Sequence, residues 1–298
     1  MKLNIGYFAD GPWSHTAFEK LIADDEISIN FICVRFDTND DILKNYCQKY
    51  MIPYLKYENI NSIDFIQKVS IFNCDLFVSM SFNQIFRTEI INLPRLKAIN
   101  CHAGKLPFYR GRNILNWALI NDEKEFGITV HFINEGIDTG DIILQRNYSI
   151  TDEDTYASLL DISYIECANI LYDAIVLFKQ EEVVRVKQTD IDPFGFYCTQ
   201  RKIGDENLDW NQSSRKVFNF VRAISSPGPQ ARTFINNKEM KINKVIYFQN
   251  ATNYYCIIGA ILQKDDTGFL VKTADSFVKV IEYEYDGVFR VGDRFEIK

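Results

Sequence analysis

The sequence predicts an α/β fold, a parallel, doubly wound sheet followed by a smaller β-rich domain. Three observations predict it. Through the first half, short apolar runs alternate with segments whose apolar residues recur at helical spacing. After about residue 190 that alternation stops and short β-runs take over. Hydrophobic residues fill 47% of the 298 positions and aromatics 14%, ample material for two domains or one large one.

Each element follows from its local pattern. "LNIGYF" and "ISINFICVRF" read as buried strands, with the helix "HTAFEKLIADD" between them and the helix "DDILKNYCQKYMI" after them. "CDLFVSM" and "KAINCH" are two further buried strands, joined through a proline-containing segment. "FGITVHFI" and "DIILQRNYSI" flank "NEGIDTG" as a hairpin or as adjacent strands. The long helical pattern "YASLLDISYIECANILYDAIVLFKQ" closes the domain, which is drawn as residues 1–190. Residues 191–230 hold a linker rich in turn residues and aromatics, then a capped helix stopped by Ser-Pro-Gly-Pro. From 231 to 298 come "RTFI", "MKINKVIYF", "YYCIIGAILQ", "GFLVKT" and "SFVKVIEYEY", the spacing of a small antiparallel sheet or barrel.

Composition narrows the partners. No window approaches eighteen uninterrupted apolar residues, so no membrane span is expected, and the N-terminus lacks the apolar core of a signal peptide. Seven cysteines without a CxxC pair suit free thiols in a reducing compartment, hence a cytoplasmic protein without bound metal. The net charge of −7, with no basic run, argues against nucleic acid. The first strand–helix turn is "ADGPWSH", not GxGxxG, so a dinucleotide is not expected either.

Ligands of open α/β sheets sit at the carboxyl ends of the strands. Asn100 and His102 end a buried strand, and Asp138 lies in the turn of "NEGIDTG". The three can meet at one rim of the sheet. Such a trio suits attack of a neutral amine on an activated acyl group. An Asn amide donates to the oxyanion, a His accepts the proton, and a carboxylate orients and stabilises the imidazole. Taken singly, each motif is equally a turn, a cap or a solvated loop.

Taken together, "INCHAGKLPFYRGRN" followed by "EFGITVHFINEGIDTGDIILQ" resembles the formyltransferases that use N10-formyltetrahydrofolate. Their pattern is Asn-x-His, a Leu-Pro-x-Tyr-Arg-Gly loop, then Gly-x-Asp-x-Gly. The resemblance implies a Rossmann-like catalytic domain, the trio Asn100, His102 and Asp138, and N10-formyltetrahydrofolate as co-substrate with no metal. By it, Phe82, Asn83, Gln84 and Ile85, with Gly136 and Ile137, wall the folate pocket.

Within that family, initiator-tRNA enzymes typically read His-Pro-Ser-Leu-Leu-Pro and Arg-Gly-Ala-Ala, where this chain has "HAGKLPFYRG" and "GRN". They also carry a longer, basic C-terminal domain. The chain instead looks like the enzymes that formylate an amine on a dTDP-linked deoxy sugar, at C3 or C4, for surface polysaccharide such as O-antigen. That likeness places Gly11, Pro12, Trp13, Tyr109, Arg110, Tyr197 and Arg201 at the sugar nucleotide, and a homodimer through edges of the C-terminal β region. Methionyl-tRNA formyltransferase and a non-catalytic nucleotide-sugar-binding regulator are the alternatives.

Overall fold

The computed structural model describes residues 2–296. In order the chain forms β1 (Leu3–Ala9), α1 (Pro12–Ile22), β2 (Ile27–Val34), α2 (Asp41–Tyr50), β3 (Tyr54–Lys56), α3 (Ile63–Ser70), β4 (Leu76–Met80), α4 (Thr88–Asn92) and β5 (Ala98–His102). The two-residue strand β6 (Arg110–Gly111), α5 (Ile114–Ile120), β7 (Glu125–Phe132), β8 (Ile142–Ser149) and α6 (Tyr156–Gln180) follow. Next come α7 (Gln188–Ile191), β9 (Tyr197–Cys198) and α8 (Ser214–Ile224). Five strands finish the chain: β10 (Ala231–Ile235), β11 (Lys238–Tyr247), β12 (Ile261–Asp265), β13 (Gly268–Lys272) and β14 (Phe277–Glu284).

These elements form two compact units. The first is Met1–Gly111, Phe126–Tyr148 and Asp161–Cys198; the second is Arg112–Glu125, Ser149–Leu160 and Thr199–Lys298. Among the described residues, the large sheet runs β3-β2-β1-β4-β5-β7-β8. Its first five strands are parallel, and β7 runs antiparallel to β5. Parallel strands are covered on both faces, which is why β4 is buried at every position and β1 at all but one. The order reverses between β1 and β4, the switch point where such sheets open a crevice at their carboxyl ends.

Local chemistry sets the helix starts. The α1 helix begins at Pro12, earlier than its apolar pattern predicts, because proline's fixed φ suits the first helical position after Gly11. Asp40 caps α2 by accepting from the Leu43 amide at 2.9 Å. The same carboxylate accepts from the Gly11 amide at 2.7 Å and meets His15 Nε2 at 2.8 Å, so it pins the β1–α1 turn. The stretch after Asn113, to which the sequence reading assigns no element, is the short helix α5.

An aromatic cluster fills one side of the sheet. Phe8 meets Phe31, Phe65, Phe77, Phe82 and Phe86 with ring centroids 4.8 to 6.0 Å apart, mostly edge to face. Gly6 makes room for it. A Cβ there would lie 2.4 Å from the Phe31 ring and 2.8 Å from the Phe77 ring.

In the second unit, α8 starts at its Ser213 cap and ends before Ser225, as the sequence predicts. Arg215 on it pairs with Asp122 at 2.5 Å and Asp152 at 2.7 Å. Trp210 is fully buried, donates to Thr233 at 2.8 Å and stacks on Phe295. The antiparallel sheet runs β10-β11-β14-β13-β12. Two expectations change here. Regular pairing in "YYCIIGAILQ" starts only at Ile261, because Gly259 turns the chain at φ 75° and leaves Tyr255 exposed before it. The run "SFVKVIEYEY" is β14, an inner strand between β11 and β13, so its hydrogen-bonding sides are both taken.

Substituting Gly6→Ala drives a methyl into the two phenyl rings and should cost about 1–3 kcal/mol, the scale of core overpacking. Urea denaturation checks it. A midpoint equal to that of the parent protein would show that the rings yield freely.

Candidate active site

Asn100 and His102 alternate along β5, so they share one face of the sheet. The antiparallel register sets Asn100 opposite His131 and His102 opposite Thr129 on β7. The chain then leaves β7 and turns back through Asn134–Gly140 before β8. Asp138 in that turn has a left-handed φ of 53°. Gly140 lets the turn close against its own strand, since a Cβ there would lie 1.7 Å from the Phe132 carbonyl oxygen.

The turn brings the Asp138 carboxylate between two imidazoles. Its Oδ2 lies 3.7 Å from His102 Nδ1, and its Oδ1 lies 3.6 Å from His131 Nε2. Both distances exceed hydrogen-bond length, so these contacts are Coulombic and become attractive when the facing nitrogen carries a proton. The Gly111 amide donates to Oδ2 at 2.9 Å. Asn100 Nδ2 lies 3.3 Å from His131 Nε2, and His131 Nδ1 donates to the Phe132 carbonyl at 2.8 Å. His102 Nε2 donates to the Tyr109 carbonyl at 2.7 Å.

Burial pushes the Asp138 carboxyl upward. His102, His131 and the Gly111 amide outweigh that and hold it well below the usual carboxylate range. A carboxylate that stays ionised beside a ring able to take a proton is a place to accept one and hold it. Asn100 carries two amide hydrogens, and with Nδ2 set beside His131 Nε2 it keeps at least one of them for an incoming oxygen.

The three residues expected to converge do converge. His131 joins them, and the sequence reading passed over it. Its signal was a lone histidine in the otherwise apolar run "ITVHF", at a position whose importance depends on the β5–β7 register. Among the described residues, no group of His, Cys, Asp and Glu is placed to hold a metal ion.

The other expected residues divide. Arg110, expected at a sugar nucleotide, is buried and committed within the protein. Its Nε and Nη2 donate to Gln188 Oε1 at 3.0 and 2.7 Å, and its Nη1 to the Phe194 carbonyl at 3.3 Å. Tyr109 is buried edge-on against Phe196, whereas Tyr197 is half exposed with the Arg110 guanidinium over its ring. Trp13 packs edge-on against Tyr164, next to Gly11 and Pro12 at the start of α1.

After β4, Phe82 joins the aromatic cluster. Asn83 donates to Asp37 at 3.1 Å, and Gln84 bonds Tyr57 and the Ile60 amide. Those side chains are taken up in holding the segment. Ile85 and Ile137 stay about half exposed, as does the backbone around Gly136. In the second unit Arg201 lines a cavity of about 380 Å3 with Asn113, Asn116, Tyr156, Lys202 and Glu206. Its Nη2 donates to the Asp205 carbonyl at 2.5 Å, while its buried Nη1 has no hydrogen-bond partner among the described residues.

Residues 35–173 match the model of the formyl transferase family, and residues 202–288 match that of the formyl transferase C-terminal domain. Among curated relatives, the methionyl-tRNA formyltransferase of Ruminiclostridium cellulolyticum is 31% identical over 258 residues, 86% of this chain and 81% of its own. That of Fusobacterium nucleatum is 35% identical, covering 78% of this chain and 74% of its own. Among solved structures, WlaRD, a sugar 3N-formyl transferase crystallised with dTDP and 5-N-formyl-THF, superimposes with a TM-score of 0.69 at 21% identity. The match covers 95% of this chain and 98% of WlaRD. An N-formyltransferase of Helicobacter canadensis in complex with folinic acid and dTDP-3-aminofucose gives a TM-score of 0.67, also at 21% identity, over 95% and 100% of the two chains. At that identity these two likenesses are likenesses of fold.

The depressed Asp138 carboxyl has a testable consequence. A group whose folded pKa lies below its unfolded value of about 3.9 stabilises fully above that value and loses the contribution as pH falls through the folded one. Asp138→Asn abolishes this titration. The urea midpoint should therefore fall less steeply below about pH 4 in the variant than in the parent. Parallel acid limbs would show that the carboxylate gains nothing from its partners.

Proposed function

The chain belongs to the formyl transferase family, and from that premise we propose that it moves a formyl group from N10-formyltetrahydrofolate to the amine of a dTDP-linked amino-deoxy sugar. The observation that carries formyl transfer is the meeting of Asn100, His102 and Asp138 at the carboxyl end of β5. In this reading the neutral amine attacks the formyl carbon and an oxyanion forms. Asn100 donates to that oxygen, and His102 takes the proton shed by the attacking nitrogen. Asp138 stabilises the resulting imidazolium. The bond from the formyl carbon to N10 of the folate then breaks, and that nitrogen leaves with the proton His102 had taken, which restores the neutral imidazole.

For the folate, the support is the segment Phe82–Ile85 and the turn at Gly136 and Ile137. Ile85 and Ile137 offer exposed apolar surface to a flat heterocycle. For the nucleotide, Arg201 is the residue assigned, because with Lys202 it lines a cavity and a pyrophosphate calls for cationic donors. Within the first unit, Gly11, Pro12, Trp13, Tyr109 and Tyr197 are the residues proposed for sugar-nucleotide contacts. Arg110 contributes by holding the wall. A homodimer through the C-terminal sheet, a cytoplasmic setting and a role in O-antigen assembly belong to the same reading.

A second reading, methionyl-tRNA formyltransferase, is favoured by the names of the curated relatives. Against it stand the net charge of −7 and the departures at "HAGKLPFYRG" and "GRN". A protein that grips a polynucleotide needs several cations at phosphates.

The deciding assay gives the protein N10-formyltetrahydrofolate with a panel of dTDP-3-amino and dTDP-4-amino sugars, and separately with charged initiator tRNA. A mass gain of one formyl group on a sugar nucleotide is expected. Formylation of the tRNA alone would overturn the sugar reading. In the same assay His102→Asn, which keeps a donor but loses the proton acceptor, should lower kcat by about 10²–10⁴ with both substrates still binding. Turnover near that of the parent would make His102 structural.

A further inference from the structure

Gln188 sits at the start of α7, far along the chain from the convergent side chains, and it is buried. Its amide is fully engaged. Oε1 accepts twice from Arg110, at 3.0 and 2.7 Å, and Nε2 donates to the carbonyls of Asp138 and Gly140, both at 2.8 Å. Only one orientation of the amide satisfies a guanidinium on one side and two carbonyls on the other. Two positions earlier, Val186 exchanges backbone hydrogen bonds with Ile142 at 2.8 and 2.9 Å, directly after the Asp138 turn. The segment is thereby laid alongside the turn, which sets where the Gln188 side chain reaches.

The bonds close a ring. Arg110 holds Gln188, Gln188 holds the Asp138 and Gly140 carbonyls, and the amide of Gly111, next to Arg110, holds the Asp138 carboxylate. We propose that Gln188 is a positioning residue, which through this ring sets the Asp138 carboxylate against His102 and His131. The need is physical. Asp138 adopts a left-handed backbone, which Asp tolerates at some cost and does not adopt by default. The carboxylate also makes no direct hydrogen bond to His102, and Coulombic contacts at 3.6 and 3.7 Å do not fix a geometry by themselves. Two donors on the turn's carbonyls supply that constraint. This inference rests on the catalytic reading of His102 and Asp138.

The Gln188→Glu substitution separates positioning from mere packing. Gln188→Glu keeps an acceptor for the buried Arg110 but loses both donors, setting a carboxylate against the two carbonyls. Gln188→Asn keeps the amide but is one methylene too short to span the gap. Both should lower kcat roughly 10- to 100-fold, the scale for groups that support a site, with each KM within about threefold of the parent value. A second readout needs no substrate. The chain has three histidines, and His15 is bonded to Asp40 at the β1–α1 turn. In NMR spectra of either variant, the ring signals of His102 and His131 and their pH dependence should move, with His15 unchanged. Ring signals like those of the parent, all three histidines shifting together, or Gln188→Glu turning over within about twofold of the parent would overturn the inference. Because the ring signals are read without substrate, failure there sinks the positioning role while leaving formyl transfer to be judged by its own assay.

Discussion

A carboxylate withdrawn from water must be compensated, and the arrangement of the site follows from how Asp138 is compensated. Two imidazoles and one backbone amide face it, from three separate stretches of chain. Each stretch has to be held. The register of β5 and β7 fixes both rings, the closed turn before Gly140 fixes the carboxylate, and the loop after β5 carries the Gly111 amide. Around these, Thr129 donates to the Gly104 carbonyl at 2.7 Å and Gln145 donates to the Leu106 carbonyl at 2.9 Å. The loop that looks solvent-facing in sequence is thus tied to the sheet along its length.

The sheet supplies the rigidity those contacts need. Parallel strands buried on both faces place their carboxyl ends at one rim, and the antiparallel β7 returns a histidine to it. The aromatic cluster around Phe8 does a second task besides filling volume. Through Phe82 and Phe86 it fixes the segment after β4, so that the Asn83 and Gln84 side chains serve the wall and Ile85 is left outward.

The curated relatives and the solved structures of like fold are named for different acceptors, and chemistry explains how one set of reacting groups serves both. Formyl transfer to any amine needs the same oxyanion donor, proton acceptor and carboxylate. The acceptor is chosen by walls and charges elsewhere, which vary independently of the reacting groups.

The β1-α1-β2-α2 order and the strands β4, β5, β7 and β8, the α8 helix with its Ser213 cap, and the change to β structure near the C-terminus were legible in the sequence, whereas β3, α3 and α4 were not. Periodicity, caps and proline punctuation are local signals, and local burial obeys them. Asn100, His102 and Asp138 were legible as well, because strand ends and a Gly-x-Asp-x-Gly turn have a sequence form. His131 was not, since its partner is set by an antiparallel register between strands that no short window contains. Arg110 looked like a ligand-binding cation because a loop arginine next to glycine carries no mark of burial. Only the packed molecule brings Gln188, 78 residues away, to its guanidinium. The sequence by itself determined which groups are available at the sheet's rim. The tertiary structure decided which of them touch, because hydrogen bonds and Coulombic contacts depend on distance in space and not along the chain.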